Sequence, residues 1–143
     1  MKVMQILKMK GSTHVECIDA DAPIADAVVV LSAKRIGALV VRTRDGAVAG
    51  ILSERDIVRQ LGVEGAAVLK KPVSTIMTAK VLTCAPEDDA LTVLERMSEG
   101  RFRHMPVLLR GQLAGVLSIG DVVKARINEI EAENEAMAHM LAG

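Results

Sequence analysis

A chain of 143 residues, half of them hydrophobic, has room for one ordinary domain or for two small repeats that share a core. Its apolar content is almost wholly aliphatic, with eight Met, a single Phe at 102 and neither Tyr nor Trp, which argues against an aromatic stacking platform for single-stranded nucleic acid. Eighteen Lys and Arg balance eighteen Asp and Glu without any basic block, which argues against tracking a phosphate backbone as well.

The chain opens on Val3, Ile6 and Leu7 at helical spacing, and the pattern recurs as Val73, Ile76 and Met77, an offset of 73 − 3 = 70. Lys2, Lys8 and Lys10 interrupt this stretch, so it is no secretory signal, and the aliphatic run Ala27 to Leu31 is too short to span a bilayer. Cys17 and Cys84 stand far apart and form no CxxC. The expectation is a soluble cytoplasmic protein with reduced thiols. The residues Lys10 to His14 are extra in the first copy and are read as loop.

Extended segments follow at Val15 to Asp19 and Val81 to Ala85, then turns at Asp21-Ala22-Pro23 and Pro86-Glu87-Asp88-Asp89. Next come two amphipathic helices, one with Ile24, Ala27, Val28 and Leu31 on its apolar face, the other with Ala90, Val93, Leu94 and Met97. Each leads into a hairpin. Ala38 to Arg42 and Val48 to Leu52 flank Asp45-Gly46, a two-residue turn signal, while Met105 to Leu109 and Leu113 to Leu117 flank Arg110-Gly111.

Each hairpin ends in a heptapeptide that launches a helix: Gly50-Ile51-Leu52-Ser53-Glu54-Arg55-Asp56 and Gly115-Val116-Leu117-Ser118-Ile119-Gly120-Asp121, offset by 115 − 50 = 65. A Ser followed three residues later by an acid, at a strand-to-helix junction, is a capping box. Its recurrence at a fixed period makes it evidence about the whole fold. Each copy therefore reads helix, strand, helix, hairpin, helix. The predicted class is α+β, with two repeats at 1–64 and 65–126 packed about an approximate twofold axis and a helical extension over 127–143.

In that extension Ile127, Ile130, Asn134, Met137 and Leu141 fall on a/d spacing, with Glu129, Glu131, Glu133 and Glu135 on other faces. A helix folded back on its own module and a contact between two copies, with Asn134 paired across an axis, are both compatible with this pattern.

Arg101-Phe102-Arg103-His104-Met105-Pro106-Val107 followed by Gly115 to Asp121, together with the doubled pattern over residues 3 to 126 and the opening VMQILKMKG, resembles a tandem cystathionine β-synthase (CBS) domain pair, the Bateman module. The resemblance is to the small stand-alone bacterial pairs and their organellar relatives. It implies a non-enzymatic regulatory module, commonly dimeric, that binds an adenosine-containing ligand (AMP, ADP, ATP, NAD(H) or S-adenosylmethionine), senses energy or redox state and regulates a partner protein. No cofactor or metal is required by it, and neither nucleic acid nor membrane is expected as a partner. The alternative is a structural or protein-interaction module whose clefts stay empty.

Carried onto these residues, the resemblance makes Asp56 and Asp121 the ribose-binding acids, with Ser53 and Ser118 beside them. A carboxylate in the first turn of a helix can accept charge-assisted bonds from a 2′,3′-diol, and the helix N-terminus offers N–H groups to phosphate. Capping accounts for the same residues, and the two roles are compatible. Arg101, Arg103 and His104 are the phosphate candidates, Arg because its fork matches phosphate oxygens. The first repeat departs here, because Lys34-Arg35-Ile36-Gly37-Ala38 has nothing at the Arg103 and His104 positions; Arg55 is its possible substitute. By the family pattern Cys17-Ile18-Asp19 and Thr83-Cys84-Ala85 line slots for the base, with Ile36 and Met105 as aliphatic covers.

Catalytic constellations are poor. Ser118, His104 and Asp121 lack the glycine pattern of a nucleophile elbow, and His14 with Cys17 supplies two of the three or four ligands that zinc takes.

Overall fold

A computed structural model describes residues 1–11 and 15–142; His14, and with it the His14/Cys17 pair, lies outside the described residues. In chain order the elements are α1 (Val3–Lys10), β1 (Cys17–Asp19), α2 (Ile24–Lys34), β2 (Ala38–Arg42), β3 (Val48–Ser53), α3 (Glu54–Glu64), 3₁₀ segments Gly65–Lys70 and Val73–Thr75, α4 (Ala90–Gly100), β4 (His104–Leu109), β5 (Gln112–Ser118) and α5 (Ile119–Ala142). This is the expected α+β alternation. The second copy of the opening helix is reduced to the short 3₁₀ turn, after which Thr78 forms a bridge with Ile51. The expected extended segment Val81 to Ala85 is likewise reduced to one parallel bridge, Cys84 with Val107.

The chain divides into two compact units, Val15–Val81 and Met1–His14 with Leu82–Gly143. In the first, β1 runs parallel to β2 and β2 antiparallel to β3, and α2 covers one face of this sheet. Ile24, Ala27 and Leu31 of α2 meet Leu39, Val41 and Leu52 of the sheet and Ile57 of α3, as the i, i+3, i+7 spacing requires. Val28, which shares the sequence stripe, stays exposed. In the second unit α4 and α5 pack on the β4–β5 hairpin, and Ala90, Val93 and Met97 are buried against Met105, Val107 and Leu117. Met97, Met105 and Leu117 are fully buried, each contributing about 1.5–3 kcal/mol.

The units do not follow the order of the repeats. The opening helix α1 packs in the unit of the second repeat, where Val3 and Ile6 join its core, the Val3 N–H donates to the Asp88 carbonyl at 2.9 Å and the Ala90 N–H donates to the Met1 carbonyl at 2.9 Å. The counterpart segment, Val73–Thr75, packs with the first repeat in the same way. There Val73 donates to Ala22 at 2.8 Å and Ile24 to Lys71 at 2.9 Å. In both units a linking carbonyl therefore satisfies the first N–H of α2 or α4, which has no intrahelical acceptor.

The first glycine of each heptapeptide follows from this exchange. A Cβ at Gly115 would lie 2.8 Å from Leu7 Cδ2 of α1, and one at Gly50 would lie 3.0 Å from Met77 Sδ and collide with the Thr78 carbonyl. Leu7 and Met77 are the same position in the two copies, 77 − 7 = 70.

The two hairpins turn differently. Arg110 and Gly111 both have positive φ, 52° and 77°, so they form the two-residue primed turn. Asp45-Gly46 does not: only Gly46 has positive φ (87°), the Gly46 N–H donates to Thr43 at 3.0 Å and the Thr43 N–H to Ala47 at 2.9 Å, closing a longer loop. The Thr43 hydroxyl also bonds to the Asp45 carboxylate, which favours the longer loop over the tight one.

Helix α5 is continuous over 24 residues, about 36 Å at the usual rise. Only Val122 and Ala125 of it are buried, and every residue from Ile130 to Ala142 is exposed. Glu129 still holds the Met1 ammonium at 2.6 Å, but from Ile130 onward the extension is not folded back on its own unit.

Candidate functional site

Both capping boxes form. In α3 the Ser53 N–H donates to Asp56 Oδ2 at 3.0 Å and the Asp56 N–H to Ser53 Oγ at 3.2 Å; in α5 the Ser118 N–H donates to Asp121 Oδ2 at 2.9 Å and the Asp121 N–H to Ser118 Oγ at 3.0 Å. The next N–H of each helix is also taken. Glu54 donates to the Gly37 carbonyl at 2.9 Å and Ile119 to the Arg103 carbonyl at 2.7 Å. Among the described residues this leaves the Arg55 and Gly120 N–H groups as the open donors of the first turns, one per helix, and leaves Oδ1 of each Asp without a hydrogen bond, although Asp56 Oδ1 faces Arg59 Nη1 at 3.9 Å.

The two acids have different neighbours. Lys10 Nζ sits 2.9 Å from Asp121 Oδ2 and donates to the Val116 carbonyl at 2.9 Å, so the end of α1 is tied to the α5 cap. Asp56 has only Arg59, at 3.9 Å on its own helix, and Lys80, the repeat counterpart of Lys10, makes no ion pair among the described residues. Sequence reasoning missed Lys10 because nothing local links it to residue 121; the exchange of α1 brings it there.

Burial raises the Asp121 pKa, but the Ser118 backbone bond and the Lys10 contact outweigh it, and the carboxyl ends below its ordinary value. A group whose folded pKa is depressed adds stability that is fully present above the unfolded value, about 3.9, and is lost as pH falls through the folded one. Urea unfolding at pH 5 and pH 3 is thus expected to show an acid loss that is smaller in Lys10→Gln than in the parent protein. Equal losses would mean that Lys10 does not hold the carboxylate.

His104 pairs with Ser118 across β4 and β5, so the two side chains share a face beside the α5 cap. Ala38 stands opposite Ser53 at the equivalent place. Arg103 reaches the same cap through its carbonyl and its side chain is exposed; Arg101, also exposed, ends α4 in the left-handed conformation with φ 57°. Arg55 lies in the first turn of α3 and lines an open depression of about 360 Å³ with Glu54, Val58 and Arg59.

The base segments are unequal. Glu16 and Ala20 bond to β2, so by alternation Cys17 and Asp19 turn their backbone groups to the free edge of β1; the Asp19 carbonyl is taken by Ala22 at 3.1 Å. In the second unit Cys84 faces β4, while the Thr83 carbonyl accepts from Arg96 at 3.1 Å and the Ala85 N–H donates to Asp88 at 2.8 Å. The first repeat thus has the freer strand edge. Ile18 and Ile36 are half-buried against the core of their unit. Met105 is fully buried, so its side chain is core in this conformation and covers no open slot.

Burial, with Asp88 adding to it, pushes the Cys84 thiol up to about 11, and burial also raises Cys17. Both are protonated at neutral pH, unlike a nucleophilic thiolate. Among the described residues no three of His, Cys, Asp and Glu gather as metal ligands, and no helix is long and apolar enough to cross a membrane.

The family model of the CBS domain matches residues 8–63 and 73–128. The CBS domain-containing protein CBSX3, mitochondrial, of Arabidopsis thaliana is 33% identical, the alignment covering 99% of this chain and 72% of that protein. Among solved structures, the CBS-domain containing protein ATU1752 from Agrobacterium tumefaciens is 44% identical with a TM-score of 0.83, over 87% of this chain and 92% of that one. The CBS domain protein PAE2072 from Pyrobaculum aerophilum, solved in complex with AMP, is 27% identical with a TM-score of 0.75, over 85% and 89%. With its two heptapeptides, its paired units and both halves matched by one family model, the chain belongs to the CBS-domain family and carries the domain twice.

Proposed function

We propose that this chain is a non-enzymatic regulatory module that binds an adenosine-containing ligand and works as a homodimer in the cytoplasm. The carrying observation is the matched pair of capping-box acids, each with one carboxylate oxygen spent on a Ser N–H and the other accepting no hydrogen bond, at a helix start that keeps one free N–H. Such an oxygen can accept a ribose hydroxyl, and the adjacent donor suits a phosphate oxygen. The AMP complex of PAE2072 supports the ligand class. AMP, ADP, ATP, NAD(H) and S-adenosylmethionine all carry the required diol; sensing of energy state follows if an adenylate binds, and of redox state if NAD(H) does. Binding would bias the conformation that a regulated protein reads.

The rival reading, an interaction module with empty clefts, is favoured by Lys10, which already neutralises Asp121. A thermal-shift series with the five ligands separates the two, since a ligand at 100 times its Kd adds about 2.7 kcal/mol. No shift with any of them would favour the rival.

Arg103 is the phosphate group to test. Its exposed side chain limits it to a contact of about 0.2–1 kcal/mol. Arg103→Ala is expected to weaken AMP by up to about fivefold and adenosine hardly at all, measured by calorimetric titration. Equal losses for both would remove Arg103 from the phosphate.

A further inference from the structure

We infer that a second copy of this chain docks on the exposed stripe of α5, its helix parallel and in register with the first. The inference rests on the homodimeric reading above and names its surface and geometry. Val123, Ile127, Ile130, Asn134, Met137 and Leu141 follow one another at steps of 4, 3, 4, 3 and 4 residues, an unbroken a/d seam. The five apolar members are between 39% and 86% exposed. They do not merely border the core-facing side. At about 100° per residue the seam centres roughly 130°, more than a third of a turn, around the helix from Val122 and Ala125, the residues of α5 that its own unit buries.

Charge selects the partner and its direction. In a parallel pair Arg126 flanks the seam opposite Glu131 of the other copy, an attraction made twice, Glu133 faces the neutral Ala138, and Asn134 meets its own counterpart. The antiparallel alternative with the same overlap sets Glu131 against Glu131 and Glu133 against Glu133, and leaves Asn134 facing Ile130. Arg126 is already held by Glu129 of its own helix, so its guanidinium is oriented before the partner arrives. The seam is short, about 27 Å over 19 residues. Its helix is anchored at Val122 and Ala125, however, which removes part of the ordering cost that a free peptide would bear.

The test uses the full chain. Sedimentation equilibrium is expected to show a dimer, and Ile130→Glu, on an exposed face, is expected to raise its dissociation constant by at least about tenfold because two carboxylates then meet at one core layer. Circular dichroism checks that the variant is folded, and AMP titration of the same variant tests nucleotide binding separately. Asn134→Cys is expected to give a disulfide-linked dimer in a glutathione redox buffer, since only the parallel register places the two thiols together. A monomeric parent protein, or a dimer indifferent to Ile130→Glu, overturns the seam as the interface; a dimer in which Cys at 134 never cross-links overturns the parallel register.

Discussion

Asp121→Asn is expected to weaken AMP binding by about tenfold to a hundredfold while moving the melting temperature little. The Asn oxygen can still accept the Ser118 N–H, so the cap survives, and the stability cost stays within about 1 kcal/mol even with the partly exposed Lys10 pair lost. The ribose fares worse. Where it met the open oxygen of an anion it now meets an amide that donates, and a charge-assisted bond is worth about 1.5–3 kcal/mol, at about 1.4 kcal/mol per decade of Kd. Calorimetric titration of both proteins at one salt concentration, with thermal melts of the unliganded forms, reads the two effects apart. Unchanged affinity in a folded variant would leave Asp121 as a helix cap and nothing more. A large drop in melting temperature would mean that its main role is structural.

Gly50→Ala is expected to destabilise the protein by about 3 kcal/mol, the upper end of what an extra methyl costs in a packed site. The added Cβ collides with the backbone carbonyl of Thr78, which cannot rotate away as a side chain can. Relief requires opening the bridge in which Ile51 donates to Thr78 at 3.0 Å and Thr78 to Ile51 at 2.8 Å. Gly115→Ala meets only the mobile end of Leu7 and is expected to cost about 1 kcal/mol. Urea midpoints of the two variants give the comparison. Equal costs would show that the Thr78 segment yields as readily as a leucine methyl, and would refute a rigid docking of that segment on β3.

Lys10 and the glycines bear on one question, how the segment that opens each repeat is used. In the second unit α1 brings a cation to the ribose candidate. In the first, the corresponding segment is a 3₁₀ turn, and Lys80 does not reach Asp56. The two capping-box acids are thereby given different surroundings, Asp121 with Lys10 at 2.9 Å and Asp56 with Arg59 at 3.9 Å.

What the sequence determined by itself is the set of features that close within a few residues. The capping boxes link positions i and i+3, the α2 and α4 faces repeat at 3.6 residues, and α5 runs unbroken because no Gly or Pro interrupts it beyond its first turn; each is legible because its cause is local. The family resemblance rested on Arg101 to Val107 with Gly115 to Asp121, on the doubled pattern and on the opening VMQILKMKG. Periodicity says that Val3 and Ile6 are buried but not against which partner, so the exchange of opening segments, the Lys10 pair and the burial of Met105 were decided only in three dimensions. The Asp45-Gly46 loop is the same lesson at short range: the dipeptide permits a primed turn, but the Thr43 hydroxyl and its bonds to Asp45 and Ala47 decide the longer one. Contacts distant in sequence depend on which surfaces can be removed from water together, and one-dimensional spacing does not record that choice.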